Sequence, residues 1–383
     1  MMPKVLFYVQ HLLGVGHVKR AAALSRAMAE NGLEVSVVLG GPEVPHADFG
    51  LAKALKLPMV RTADSSFQTL LNEHDQPIDD AWRDARRKQL LEIYDTVTPD
   101  LLLVELYPFG RRQFRFELLP LLARAKGRGK IGCSVRDVLV RKDNPDRNQE
   151  IVDIIRDYFD TVLVHGQADV IPFTDTFPES KAFEDWIEYT GYVTDPSPEF
   201  GVSEVGRGEV VVSIGGGAVG ENLMRTALQA RALSSLSSST WRLLAGDNLK
   251  EGVYQKLRNE APDGVIVERA RADFRQLLQN ADLSISQGGY NTVMDILAAE
   301  CRAIIVPFAE GGESEQTYRA RKFADMGLLH LLEASELSAS TLAKAVDEAM
   351  AGNKSERKTI SLSGANTTAR LICDMLSLKG MPE

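Results

Sequence analysis

Apolar positions along the chain fall into two alternating periods. Short unbroken runs, Val5-Leu6-Phe7-Tyr8-Val9, Val35-Ser36-Val37-Val38-Leu39, Leu101-Leu102-Leu103-Val104 and Thr161-Val162-Leu163-Val164-His165, have the character of strands buried on both faces. Ile131-Gly132-Cys133-Ser134-Val135 reads the same way. Between these runs, residues 17–30, 79–97, 114–126 and 147–158 carry apolar side chains at helical spacing. The stretch from Pro42 to the second of these helices reads as irregular. Strand alternating with helix predicts a parallel sheet with right-handed crossovers.

The alternation breaks at 190–208, where Pro, Gly and Ser concentrate, and that stretch reads as a linker. It restarts with the strand Val210-Val211-Val212-Ser213-Ile214 and a helix at 220–233. Strands follow at 242–245, 265–267, 283–286, 303–307 and about 329–332, and helices at 338–351 and about 362–378 close the chain. The expected fold is α/β, with two Rossmann-like, doubly wound parallel-sheet domains. The first spans 1–192, the linker 193–208 and the second 209–364; the tail helix at about 365–383 is a candidate to pack back on the first domain.

Composition narrows the class. A length of 383 residues suits two cores, and 44% hydrophobic with 25% charged residues is the balance of a globular protein. A net charge of −9 excludes general nucleic-acid binding, which wants a basic surface. Cys133, Cys301 and Cys373 are far apart and give neither a disulfide framework nor metal-ligand spacing, which fits a reducing cytoplasmic compartment. The apolar opening is broken by Gln10 and His11 with no cleavage site after it, so it reads as a strand and not a signal peptide. No apolar run reaches the roughly 18 residues of a membrane-spanning helix.

Candidate chemistry gathers where strands end. Gly14-Val15-Gly16-His17 follows the first strand and opens a helix. The glycines allow close backbone approach, and a neutral imidazole at a helix N-terminus suits a general base or hydroxyl orienter. The plain alternative is a tight turn. Gly215-Gly216-Gly217 holds the same place in the second half and suits a diphosphate, but no Lys-Ser/Thr pair follows, so it is not an ATP-binding loop. Glu105 ends a strand before Tyr107-Pro108-Phe109-Gly110-Arg111-Arg112, and its carboxylate is a second candidate base. Arg111 and Arg112 suit an anionic acceptor group, or else form a solvated helix start. The cluster Arg83, Arg86, Arg87 and Lys88 reads as an exposed helix face, with attraction to anionic lipid as the alternative.

The most informative stretch is Ser284-Ile285-Ser286-Gln287-Gly288-Gly289-Tyr290-Asn291-Thr292, continuing to Asp295 and to Glu315-Gln316. A strand ends in a Gly-Gly pair, and Asn291 or Thr292 is placed to cap the helix that follows. Asp295 suits ribose hydroxyls, with simple dipole compensation as the alternative. Neither Gly-rich turn has the G-x-G-x-x-G spacing of a dinucleotide-binding oxidoreductase.

These motifs resemble the GT-B glycosyltransferases, and most closely the group built like the peptidoglycan N-acetylglucosaminyltransferase (glycosyltransferase family 28-like). The likeness runs from G-x-G-H after the first strand to Q-G-G-x-x-T-x-x-D, V-P-F and E-Q in the last third. The opening F-Y-V-Q-H-L-L-G-V-G-H and the segment E-L-Y-P-F-G-R-R are similar to a group of predicted bacterial glycosyltransferases. The resemblance implies two domains facing a cleft, with the donor on the C-terminal one. It implies a diphosphate turn at Gly288, Gly289 and Thr292, assisted by Gly216 and Gly217. Asp295 would then lie on ribose, Glu315 and Gln316 on the donor sugar, and backbone at Ala270-Arg271 on the uracil edge. His17 or Glu105 is the implied base, with Gly14, Gly16, Arg111 and Arg112 on the acceptor side. Asp295 stands where the family has Glu, and the 268–273 loop is more basic than the family's.

The expected activity is inverting, metal-independent transfer of a hexosyl or N-acetylhexosaminyl group from a UDP-sugar to an acceptor hydroxyl in cell-envelope, polysaccharide or glycolipid synthesis. No cofactor is expected; the UDP-sugar is a substrate. The acceptor is expected to be lipid-linked or anionic, and the protein to lie in the cytoplasm, peripherally at the inner face of the membrane. The alternatives are a non-hydrolysing UDP-sugar epimerase of the same fold and a non-catalytic scaffold that recruits a partner.

Overall fold

The computed structural model describes residues 2–12, 16–44, 47–62, 69–140, 144–194, 203–216, 219–246, 248–308, 314–352 and 360–376. The chain divides into two units, Met1–Asp195 with Ser361–Glu383, and Pro196–Ile360.

In the first unit β1 (Lys4–Val9) leads through α1 (Gly16–Glu30) to β2 (Glu34–Leu39) and the short strands β3 (Lys53–Lys56), β4 (Arg61–Thr62) and β5 (Leu70–Leu71). Helix α2 (Asp80–Val97), β6 (Leu101–Glu105), α3 (Arg115–Ala125), β7 (Lys130–Arg136), α4 (Pro145–Tyr158), β8 (Thr161–His165) and β9 (Ile187–Tyr189) complete the series. The main sheet is parallel, in the order β3-β2-β1-β6-β7-β8-β9, while β4 and β5 form a separate antiparallel pair. Successive residues of β1 serve opposite faces, as the pleat requires. Leu6 and Tyr8 pack with Leu90, Leu118 and Leu122 of α2 and α3, whereas Val5, Phe7 and Val9 pack with Ala21, Leu24 and Met28 of α1. Each such side chain contributes roughly 1.5–3 kcal/mol by leaving water, which is why the unbroken apolar runs become central strands.

Helix ends follow local chemistry. Asp79 caps α2 by accepting from Trp82 N at 2.7 Å, and Asn144 caps α4 by accepting from Arg147 N at 2.9 Å with Pro145 behind it. One expectation is corrected inside α2. Arg86 is fully buried and not on a solvated face. Its Nε donates to Glu117 at 2.8 Å and its Nη2 to Gln10 at 2.6 Å, while Tyr8 donates to Glu117 at 2.6 Å. A buried ion pair satisfied this fully holds α2 and α3 against the end of β1.

The second unit runs β10 (Val210–Ser213), α5 (Glu221–Arg231), β11 (Trp241–Ala245), α6 (Glu251–Glu260), β12 (Val265–Arg269), α7 (Phe274–Asn280) and β13 (Leu283–Ser286). It continues α8 (Tyr290–Ala298), β14 (Ala303–Ile305), α9 (Glu315–Asp325), β15 (His330–Leu331) and α10 (Ala339–Ala351). Its sheet is parallel in the order β12-β11-β10-β13-β14-β15. Ser338 opens α10 with a capping box shared with Thr341.

The last helix, α11 (Gly364–Met375), belongs to the first unit. Tyr192 N donates to Ser361 O at 2.8 Å and Gly364 N to Tyr192 O at 3.0 Å, and Ala369 and Ile372 join the cluster built around α1. Among the described residues no helix is long and apolar enough to cross a membrane.

Candidate functional site

In each sheet the strand order reverses beside the unit's first strand, between β1 and β6 in one unit and between β10 and β13 in the other. Chain leaving the two strands there diverges to opposite faces, and the crevice at their C-terminal ends is where open α/β sheets take ligands. Several of the candidate residues, His17, Glu105, Gly216, Gly288, Gly289 and Thr292 among them, lie at the strand ends flanking these two places.

In the first unit, His17 lies in the first turn of α1 and Glu105 is the last residue of β6. His17 Nδ1 meets Glu105 Oε1 at 2.6 Å, and Arg20 Nη2, one turn further along α1, donates to the same oxygen at 2.7 Å. Arg111 Nη2 stands 3.9 Å from Glu105 Oε2, an ion pair too long for a hydrogen bond. Glu105 is 1% exposed and His17 19%. Glu105 Oε2, Arg111 Nε and Nη2, and the Nδ1 of buried His11 have no hydrogen-bond partner among the described residues.

Charge states follow from these contacts. Burial lowers His17 to about 4 against the pull of Glu105, with Arg111 adding to the lowering, so the imidazole is neutral at pH 7. Burial pushes Glu105 up, but His17, Arg20 and Arg111 push it down and prevail, so the carboxyl is held below its usual range. Since His17 is neutral at pH 7, the two guanidiniums keep Glu105 ionised there. An ionised Glu105 accepts from Nδ1–H of His17, which fixes the tautomer and leaves the lone pair on Nε2. Nε2 has no partner among the described residues. The arrangement is an oriented imidazole able to take a proton, backed by a buried carboxylate that stabilises the imidazolium formed.

Arg20, His11 and His165 belong to this surrounding and were not singled out from sequence. Arg20 was findable, because it lies three residues after His17 on the same helical face. His165 is buried at the end of β8 between Ser134 Oγ at 2.8 Å and Thr190 Oγ1 at 3.0 Å, and burial lowers it to about 3. Arg112 lies apart from Glu105, pairing with Glu150 at 3.3 Å on the surface. Gly16 is the first residue of α1, and Gly14 lies outside the described residues.

In the second unit, β10 ends in Ser213, whose Oγ accepts from Gly215 N at 3.2 Å. Gly215 needs its freedom, because φ is +64° there. A Cβ on it would lie 3.5 Å from Thr292 Oγ1, which places the 215–216 turn beside the start of α8. Gly216 O accepts from Asn248 at 2.7 Å, and Gly217 lies outside the described residues. Gly289, not Asn291 or Thr292, is the N-cap of α8 and supplies no side-chain bond, so the first-turn amides stay unoccupied by a cap. A Cβ on Gly288 would fall 3.0 Å from Ile305 Cγ2 and 3.4 Å from Gln316 Cβ, so the Gly-Gly turn packs against α9.

Gln316 Oε1 accepts from Phe308 N at 3.1 Å, which leaves its NH2 as the outward donor. Glu315 is bonded to buried Arg319 at 2.8 Å. Gly216, Gly288, Gly289, Thr292 and Gln316 therefore converge. Asp295 lies further along α8, with Oδ1 accepting from Arg275 Nε at 3.0 Å and Nη2 at 2.5 Å. Arg271 is engaged by both oxygens of Asp273, at 2.7 and 2.6 Å, while the neighbouring Ala270 N extends the sheet to Ala245 O. Among the described residues no group of three or more His, Cys, Asp or Glu side chains forms a metal-ligand set.

Solved structures identify the architecture. The calicheamicin glycosyltransferase matches 100% of both chains at 15% identity and a TM-score of 0.63. MurG of Acinetobacter baumannii matches 98% of this chain and 100% of its own at 16% identity and 0.58. The fold is GT-B. Within it, residues 211–373 match the glycosyltransferase family 28 C-terminal domain, a stretch that covers the second unit's sheet and runs on into α11. UDP-N-acetylglucosamine–N-acetylmuramyl-(pentapeptide) pyrophosphoryl-undecaprenol N-acetylglucosamine transferases are similar over part of the chain. That of Gloeothece citriformis is 36% identical over 70 residues, 18% of this chain and 19% of its own. That of Rubrobacter xylanophilus is 27% identical over 117 residues, 30% and 34%. The match thus spans from a fifth to a third of these curated relatives.

Proposed function

We propose that the protein is an inverting, metal-independent glycosyltransferase that moves a hexosyl or N-acetylhexosaminyl group from a UDP-sugar to an acceptor hydroxyl. The observation that carries this is the His17–Glu105 pair, with Nδ1 on the carboxylate, at the switch point of one unit. It is joined on one chain to a family 28 C-terminal domain. His17 Nε2 takes the acceptor proton, the acceptor oxygen bonds to the anomeric carbon, and the bond from that carbon to the diphosphate breaks with its electrons leaving on UDP. Attack opposite the leaving group inverts the centre. Glu105 is the orienting partner and not the base, because it is buried and already holds Arg20 and His17.

On the donor side, the uncapped start of α8 and the Gly216 and Gly288–Gly289 backbone suit the developing diphosphate charge, as helix N-termini do for phosphate. The outward amide of Gln316 and the carboxylates of Glu315 and Asp295 suit sugar and ribose hydroxyls. Uridine is favoured by the relatives whose names specify UDP-N-acetylglucosamine. Those names also specify a pyrophosphoryl-undecaprenol acceptor, which supports a lipid-linked or anionic acceptor met peripherally at the inner membrane face. The test is a UDP titration followed by turnover of UDP-hexose and UDP-N-acetylhexosamine in excess EDTA with candidate lipid-linked acceptors. Donor binding with His17-dependent release of UDP is expected. No binding of any uridine diphosphate, or turnover that EDTA abolishes, would overturn the corresponding part.

A further inference from the structure

A cavity of about 230 Å³ lies in the first unit, apart from the His17 cluster but on the same edge of the sheet. Its walls are Phe109 from the loop after β6, Leu139 and Val140 from the loop after β7, the start of α4, and residues 176–179 from the segment after β8. In a parallel sheet all of these lie at the C-terminal ends of the strands, as do His17 and Glu105. Phe109 is four residues from Glu105, so their Cα atoms are at most about 14 Å apart.

The lining is amphipathic. Phe109 and Phe177 meet edge to face with centroids 5.3 Å apart, and Ile151 adds to the apolar wall. Glu179 Oε1 accepts from Asn148 at 2.8 Å, while Glu179 Oε2 is buried with no partner among the described residues. Arg147 also lines the cavity and forms no ion pair with a described carboxylate. Its neighbours Arg112 and Arg115 share the carboxylate of Glu150, at 3.3 and 2.7 Å, so Glu150 is already engaged by other cations. Whole small-molecule sites run to about 300–1,000 Å³, so this cavity is the size for one ring of a larger ligand.

We propose that this cavity binds an anionic pyranose ring of the acceptor, bearing a carboxylate or a phosphate. Arg147 holds the anionic group, Glu179 Oε2 accepts from a ring hydroxyl, and Phe109 and Phe177 pack against the ring. The assignment rests on the transferase reading, and it makes the acceptor a glycan or glycolipid long enough to reach from this ring to His17 Nε2.

The experiment is a ligand-observed NMR titration of the full chain with glucuronate, glucose 6-phosphate and glucose, with UDP titrated into the same samples. Glucuronate or glucose 6-phosphate should bind at least tenfold more tightly than glucose, and the stronger of the two identifies the anion. Arg147→Gln should remove that preference, and Glu179→Gln should weaken all three sugars while UDP affinity stays within twofold. Equal affinity for the three sugars, or a preference that survives Arg147→Gln, overturns the proposal. If UDP binds and the sugars do not, the cavity assignment fails and the transferase reading stands. If the anionic sugars bind and UDP does not, the reverse holds.

Discussion

Glu105→Gln replaces one carboxylate oxygen by an amide nitrogen in the buried cluster around His17. Glu105 Oε1 receives His17 at 2.6 Å and Arg20 at 2.7 Å, and Oε2 faces Arg111 at 3.9 Å. At 3.9 Å and an effective dielectric of 20, opposite charges attract by about 4 kcal/mol, and removing one partner of a buried pair costs about 3–5 kcal/mol because the other charge is stranded. The variant should therefore lose about 3–5 kcal/mol of stability in the first unit. It should also lose turnover by about 10²–10⁴, because His17 loses the carboxylate that fixes its tautomer and stabilises its imidazolium. His17→Ala should lose comparable turnover but only about 1 kcal/mol of stability, the net value of one hydrogen bond. Urea unfolding followed by circular dichroism, with UDP release for turnover and UDP titration as a control on the other unit, separates the effects. A Glu105→Gln protein as stable and as active as the parent would refute both the ion-pair and the dyad reasoning.

Acid sensitivity should follow from three buried imidazoles. Burial lowers His11 and His17 to about 4 and His165 to about 3, so the unfolded chain takes up these protons first as pH falls from about 6.5. Stability should be level above that pH and fall below it, by at most about 1.4 kcal/mol per pH unit for each histidine. Glu105, held below the usual range, adds a further loss below about pH 4.5. A urea midpoint independent of pH from 7 to 4.5 would contradict this. In the other unit, Gly288→Ala should destabilise by about 1–3 kcal/mol through overpacking, since its Cβ would meet Ile305 at 3.0 Å. Gly289→Ala meets nothing within 4 Å and should keep its stability while losing UDP affinity, as calorimetry would register. Asp295→Ala and Gln316→Ala should each weaken UDP-sugar binding by roughly tenfold, about the 1.4 kcal/mol of one good polar contact; unchanged affinity in both would remove the assigned donor contacts.

The fold was legible where burial made the pattern strong. β1, β6 and β8 are buried along nearly their whole length and read directly as apolar runs. β3, whose sequence is KALK, is an exposed edge strand held by its backbone pairing to β2, so no side-chain pattern announces it. α6 buries only Leu257, and its charged sequence hides the helix for the same reason. Arg86 was misread because charge in a helix ordinarily marks solvent, and only the tertiary placement of Glu117 and Gln10 shows why this one is buried. In the candidate site, His17 and Glu105 were visible separately as strand-end residues. That they bond to each other depends on β1 and β6 being neighbours, a pairing of residues 88 apart. The α8 cap was misassigned because Asn and Thr are favoured capping residues, whereas a turn meant for an external anion leaves its amides unsatisfied.

The return of α11 to the first unit gives the chain an unusual order of assembly. Residues 1–195 hold a complete seven-stranded sheet but lack Ala369 and Ile372, which join the apolar cluster around α1. On the ribosome, the first unit is therefore completed only after the whole of the second unit has been made. A nascent chain halted before Ser361 should show protease protection of the second unit and an incompletely protected α1. By the same logic, a stop codon before Ser361 would impair the unit built mainly by residues 1–195.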